Sequence, residues 1–140
     1  TDIMYPVLKE IQKKYPDQCR ITEAIDAPYA IYQKLMDDAD VQLDQLYSYT
    51  PSMNSLLAMA KGVIVLGGGE EENYEIINEK ELRPIINVYP SEEDIFQKLE
   101  YIVLNKERIP ELSAQSIEYV RKHHNYVKVA QQYVDFWEAH

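Results

Sequence analysis

Tyr47-Ser-Tyr-Thr-Pro-Ser-Met-Asn-Ser-Leu-Leu-Ala-Met-Ala-Lys-Gly62, followed directly by Val63-Ile-Val-Leu66 and Gly67-Gly-Gly69, decides the fold. Thr50 has the chemistry of a helix N-cap and Pro51 that of a first helical residue, while Met53, Leu56, Leu57 and Ala60 form one apolar stripe at helical spacing. Gly62 supplies the helix stop. Val63 to Leu66 is apolar on both faces, the mark of a central parallel strand covered by helices on each side. A loop, a helix, a glycine stop and a buried strand in that order aim the helix N-terminus at the rim where parallel strands end. Unpaired N–H groups and the positive end of the helix dipole make such a rim a binding place for anions, phosphates above all.

The flanking sequence repeats the alternation. Ile3, Met4, Val7, Leu8 and Ile11 fall at helical spacing after the possible caps Thr1 and Asp2. Cys19, Ile21, Glu23 and Ile25 alternate with more polar neighbours after the Pro16-Asp17 turn and predict a short strand. A second helix is expected after Pro28, with Ile31, Leu35 and Met36, and a strand over Asp40-Val-Gln-Leu-Asp-Gln-Leu46. Beyond the glycines, Ile85-Ile-Asn-Val88 reads as the next strand and Ser91-Glu-Glu-Asp94 as a capping box opening a helix with Ile95, Leu99, Ile102 and Val103. One helix follows Pro110 with Leu112, Ile117 and Val120; another runs from about Asn125 with Val127, Ala130, Tyr133, Val134 and Trp137. Strand and helix in alternation predict a Rossmann-like α/β domain over 1–140, with a parallel sheet flanked by helices and ligands bound beyond the carboxyl ends of its strands.

Bulk composition narrows the function. A net charge of −10 over 140 residues opposes broad contact with nucleic acid, because a surface that binds that backbone needs clustered Lys and Arg. The single cysteine, Cys19, cannot form a disulfide within the chain, and a reducing, cytoplasmic setting is the expectation. No apolar run approaches the roughly 20 residues that span a bilayer, which leaves peripheral membrane contact as the only kind expected.

The order of motifs resembles the C-terminal, donor-binding half of GT-B glycosyltransferases of the large retaining family that includes sucrose and mannosyl transferases. Asp40-Val41 is similar to that family's "adv" strand entry. Leu57-Ala-Met-Ala-Lys-Gly-Val-Ile-Val65 resembles its E-A-M-A-x-G-x-P-V signature, and Gly67-Gly-Gly-Glu with Glu75-Ile-Ile77 its G-G-x-x-E-I-V element. Pro84 to Ser91 matches the strand and turn that follow, and His123 to Tyr133 the last helix. The resemblance implies that the family's first strand and its N-terminal acceptor domain lie before Thr1, so this chain is expected to be a fragment of a longer two-domain protein. It further implies a nucleotide-sugar donor as substrate, no cofactor and no metal, and an isolated domain that binds donor without turning it over. In the family, two glutamates eight positions apart touch the donor sugar and the ribose; here those places hold Tyr49 and Leu57. No catalytic residue is nominated. The alternative expectation is a non-catalytic binding or assembly module that kept the fold and lost the carboxylate pair.

The residues proposed to meet the donor are Tyr49, Thr50, Ser52, Met53, Asn54 and Leu57, with Thr50, Ser52 and Asn54 adding side-chain donors to the backbone amides. Tyr47, Gly68, Gly69 and Glu75 are the candidate cleft: the tyrosine for stacking on a ring and the glycines for close approach of a ligand. Glu70, Glu71 and Glu72 would repel a diphosphate and are expected to face solvent or an acceptor. Asp38-Ala-Asp40 imitates a metal-binding D-x-D but sits at a helix end, and His123 and His124 are adjacent, about 100° apart on a helix, a poor geometry for sharing one metal.

Overall fold

The computed structural model describes residues 3–139, and the caps expected of Thr1 and Asp2 lie outside them. Among the described residues three short strands form one parallel sheet in the order β1 (Val41–Leu43), β2 (Ile64–Gly67), β3 (Ile86–Asn87). Val41 stands opposite Ile64 and Leu43 opposite Leu66, while Gly67 stands opposite Asn87. Seven α-helices accompany it among the described residues: α1 (Met4–Lys14), α2 (Tyr29–Asp37), α3 (Met53–Ala60), α4 (Glu71–Ile76), α5 (Glu92–Leu104), α6 (Ile109–His123) and α7 (Tyr126–Ala139). The fold is α/β with an open parallel sheet, as the alternating pattern predicts. No described helix is long and apolar enough to cross a membrane.

All four residues of β2 are buried, and its side chains divide between two cores with the period of two that a strand imposes. Val65 joins Met36 of α2, Ala58 and Met59 of α3, Tyr74 of α4 and Tyr119 of α6 on one face. Leu66 joins Val7 and Ile11 of α1 and Ile95, Leu99 and Ile102 of α5 on the other. Each such aliphatic side chain contributes roughly 1.5–3 kcal/mol by leaving water, so the central strand is where the two helical layers are fastened together. Gly62 ends α3 with φ +85°, a left-handed conformation that favours glycine, and a Cβ there would lie 2.6 Å from the Ser113 hydroxyl of α6.

Two sequence expectations are corrected, and one element is added to those the pattern predicts. The Cys19–Ile25 stretch forms no strand: Cys19 is held to the end of α1 by its own N–H on the Tyr15 carbonyl at 3.2 Å, and Ile25 is 77% exposed. Its alternation has no neighbouring strand to pair with, and extended backbone without a ladder stays irregular. Helix α3 begins at Met53 with Ser52 as N-cap, not at Pro51 with Thr50 as cap. Ser52 has extended backbone and its hydroxyl accepts the Ser55 N–H at 3.1 Å, whereas Thr50 precedes proline and turns its own N–H to the Ser48 hydroxyl. Finally, Glu71–Ile76 is a short helix where only a glycine turn and a run of acids were evident, its Glu71 and Glu72 lying in the first turn where the dipole favours negative charge.

Candidate functional site

The carboxyl ends of the three strands converge on one rim. After β1, Asp44 leads into the loop that carries Tyr47, Ser48, Tyr49 and Thr50 to the start of α3; after β2 come Gly67, Gly68 and Gly69; β3 ends at Asn87. The glycines are what allow these segments to meet. A Cβ on Gly67 would lie 2.7 Å from that of Asp44, and one on Gly68 would fall on the carbonyl oxygen of Ser48. Gly69 is held from the other side, its N–H donating to the Asn87 side-chain oxygen at 3.1 Å. The central glycine loop is therefore clamped between the Asp44–Thr50 loop and the end of β3.

Around it stand the residues singled out in the sequence. Tyr47 and Tyr49 are 80% and 67% exposed and free to lie against a ligand ring, and Met53 projects at 81%. Ser52 is engaged as the helix cap, and the Asn54 side-chain amide donates to the Tyr32 hydroxyl. The backbone amides of Met53 and Asn54 have no acceptor among the described residues. Those two, rather than the whole run from Thr50 to Asn54, are the open donors of the notch. Leu57 sits one turn further along α3, half-buried and packed against the core. Glu75 is not brought to this rim. It lies in the second turn of α4, where it lines a separate cleft of about 330 Å³ with Glu71, Tyr74, Asn78, Lys80 and Arg83.

A family model described as glycosyl transferase-like matches residues 7–135. The chain belongs to the glycosyl transferase-like family. No curated protein and no solved structure matches it. In this glycosyl transferase-like domain the matched span includes every described strand of the sheet and the whole of the rim.

Three polar residues of the glycosyl transferase-like domain are given no role by the sequence reading. Asp44 places its carboxylate at the α3 N-terminus, Oδ2 accepting the Ser52 N–H at 2.8 Å. It was hidden because the expected strand ran on to Leu46, making Asp44 one polar position in an alternating run instead of the residue at a strand's carboxyl end. Asn87 was hidden likewise, as one polar position inside the run Ile85-Ile-Asn-Val88 that the strand was expected to fill.

The third is Glu79, whose side chain in the α4–β3 connection is fully buried against the end of α6. One carboxylate oxygen accepts the N–H groups of Glu81 and Leu82, at 2.8 and 3.1 Å. The other faces the Lys122 ammonium at 2.7 Å and His123 Nε2 at 2.5 Å. Burial alone would push this carboxyl up; the ammonium, the imidazole and the two amides outweigh it and hold it well below the usual carboxylate range. The neighbouring His124 has its pKa lowered, by burial first and then by His123. This assembly fastens α6 to the α4–β3 connection and takes His123 into a structural contact.

Proposed function

We propose that this domain is the donor half of a glycosyltransferase, holding a nucleoside diphosphate sugar while the sugar passes to an acceptor bound by another part of the full-length protein. The observation that carries this reading is the rim itself: open amides at the start of α3, a clamped glycine loop and two exposed tyrosines lie together at the carboxyl ends of parallel strands, within a glycosyl transferase-like chain. The Met53 and Asn54 amides and the α3 dipole would stabilise the departing diphosphate by fixed electrostatics. The role needs no metal and no covalent nucleophile. Tyr47 and Tyr49 would stack on the base or the sugar. Turnover belongs to the two-domain protein, and this half alone is expected to bind donor in the cytoplasm.

Met53→Glu tests the reading with two readouts of opposite sign. The side chain is exposed at the first helical position, so a carboxylate there complements the helix dipole and raises stability by about 0.3–1 kcal/mol. The same charge, a few ångströms from a bound diphosphate, should weaken UDP and GDP binding by about one to two orders of magnitude in titration calorimetry. Nucleotide affinity unchanged in this variant removes α3 from the site. A second reading is favoured by Tyr49 and Leu57 at the places of the family's glutamates: a binding module that keeps donor affinity without transfer. Sugar transfer by the full-length protein decides between them.

A further inference from the structure

His124 lies where α6 ends and α7 begins, and its ring nitrogen Nε2 is buried with no hydrogen-bond partner among the described residues. The imidazole packs beside the Tyr119 ring, with centroids 5.5 Å apart. Tyr119 in turn rests on α4, its hydroxyl accepting the Asn73 side-chain amide at 3.0 Å and its ring standing edge-on to Tyr74. A neutral imidazole keeps such a place at modest cost. Once protonated it carries N–H on both nitrogens and a full charge, and a buried, unpaired charged donor costs far more than a neutral one. The titratable and charged groups around the ring are His123 and Tyr119 of α6, Tyr74 of α4 and two residues of the α4–β3 connection. These are Arg83, stacked on Tyr74 at 4.1 Å, and Glu79, already held by Lys122 and His123. No carboxylate pairs with His124 among the described residues, and burial first, then His123, hold its pKa below the ordinary imidazole value.

The same junction sets the direction of α7. His124 closes α6 with its N–H on the Val120 carbonyl at 2.8 Å, and the next residue, Asn125, caps α7, its side-chain oxygen accepting the Val127 N–H at 3.1 Å. No residue of α7 is buried, so the helix takes its direction largely from these two residues, and the ring beside Tyr119 is the side-chain anchor of the joint. We propose that His124 is an acid-released pin: neutral, it anchors the α6–α7 joint beside Tyr119; protonated, it leaves that place for water and frees α7, with its Tyr133 and Trp137, to reorient. The released ring accepts a proton more readily than the pinned one. Pinning is therefore complete above about pH 6.5, the ordinary imidazole value, and below it the ratio of pinned to released protein falls by up to about tenfold per pH unit.

An NMR titration of the 140-residue chain from about pH 7.5 to about pH 4.5 tests this, following the assigned His124 ring proton and the residual dipolar couplings of the backbone amides. The His124 midpoint is expected below about pH 6.5. The couplings of α7 should change with that same midpoint, while those of β2 and α3 stay as they are. His124→Phe keeps a flat ring beside Tyr119 with nothing to titrate, and its α7 couplings should hold their neutral values throughout the range. His124→Lys places a charge there at every pH used and should show the acid couplings of α7 already at neutral pH, with unchanged β2 and α3 couplings as the check that the domain is folded. Should that variant not fold, the comparison with His124→Phe still decides. A His124 midpoint at or above the ordinary value, α7 couplings that ignore the His124 titration, or the same acid change in His124→Phe would each overturn the proposal.

Discussion

Gly68 is the residue on which the shape of the rim depends most directly. A methyl group at this position would lie 2.1 Å from the Ser48 carbonyl oxygen and 3.0 Å from the Thr50 oxygen, both of them backbone atoms that no rotamer change can move aside. The Ser48–Thr50 loop, tied by the Ser48 hydroxyl donating to the Thr50 carbonyl at 2.8 Å, must then shift as a piece and take Tyr49 with it. Gly68→Ala is expected to cost about 1–3 kcal/mol, the range for overpacking a filled site, and to lower the melting temperature by several degrees. The contrasting substitution is Gly69→Ala, whose Cβ meets mainly the Ile85 side chain, at 2.8 Å. It should disturb the core side of the loop and leave the tyrosines in place. Thermal melts rank the two for stability, and nucleotide titration shows whether only Gly68→Ala damages binding; equal loss in both would mean that the Ser48–Thr50 loop does not shape the site.

At the scale of elements, the Glu79 clasp joins α6 to the α4–β3 connection through one carboxylate, and its loss should be felt as a loosening of that join. Glu79→Ala strands two amides and removes the partner of Lys122 and His123; about 2–4 kcal/mol is expected, toward the lower part of the range for broken buried pairs because Lys122 is half exposed. The pH dependence has a definite sign. The folded carboxyl is held below its unfolded value, so its contribution is complete above the ordinary carboxylate range and fades as the pH falls through that range toward the lower folded value. Native protein and Glu79→Gln should differ most in melting temperature at neutral pH and converge in acid. A difference that is constant from pH 7 down to pH 3 would mean the charge contributes nothing. The clasp was illegible in the sequence because its partners lie more than forty residues apart, and an acidic chain offers many glutamates with no local sign of burial. By contrast, β2, the Gly62 stop and the Ser91 cap of α5, whose hydroxyl accepts the Asp94 N–H, were legible because each rests on adjacent residues. The start of α3 was misplaced by two residues for the same reason in reverse: Thr50-Pro51 and Ser52 are both good caps locally, and the bond from Ser52 N–H to Asp44, eight residues away, accompanies the later start.

At the scale of the molecule, two cores meet at β2 and every helix but one contributes to them. Helix α7 is the exception. Its stripe of Val127, Ala130, Tyr133, Val134 and Trp137 would suit either a core helix or a surface patch, and the structure places none of the α7 residues in the core. Periodicity could not separate these cases, since an apolar stripe looks the same whether its partner is this domain or another surface. An exposed helix of this length gains little from its own propensity, because isolated helices of about 12–15 residues are marginal in water. Its removal should therefore cost the domain almost nothing in folding. A chain ending at Asn125 is expected to melt within about 2 °C of the full chain, less than the shift produced by 1 kcal/mol in a domain of this size. The Glu79 clasp ends at His123 and remains intact in that truncation. A fall of ten degrees or more would show that α7 packs on the domain in solution and that its aromatic face is core after all.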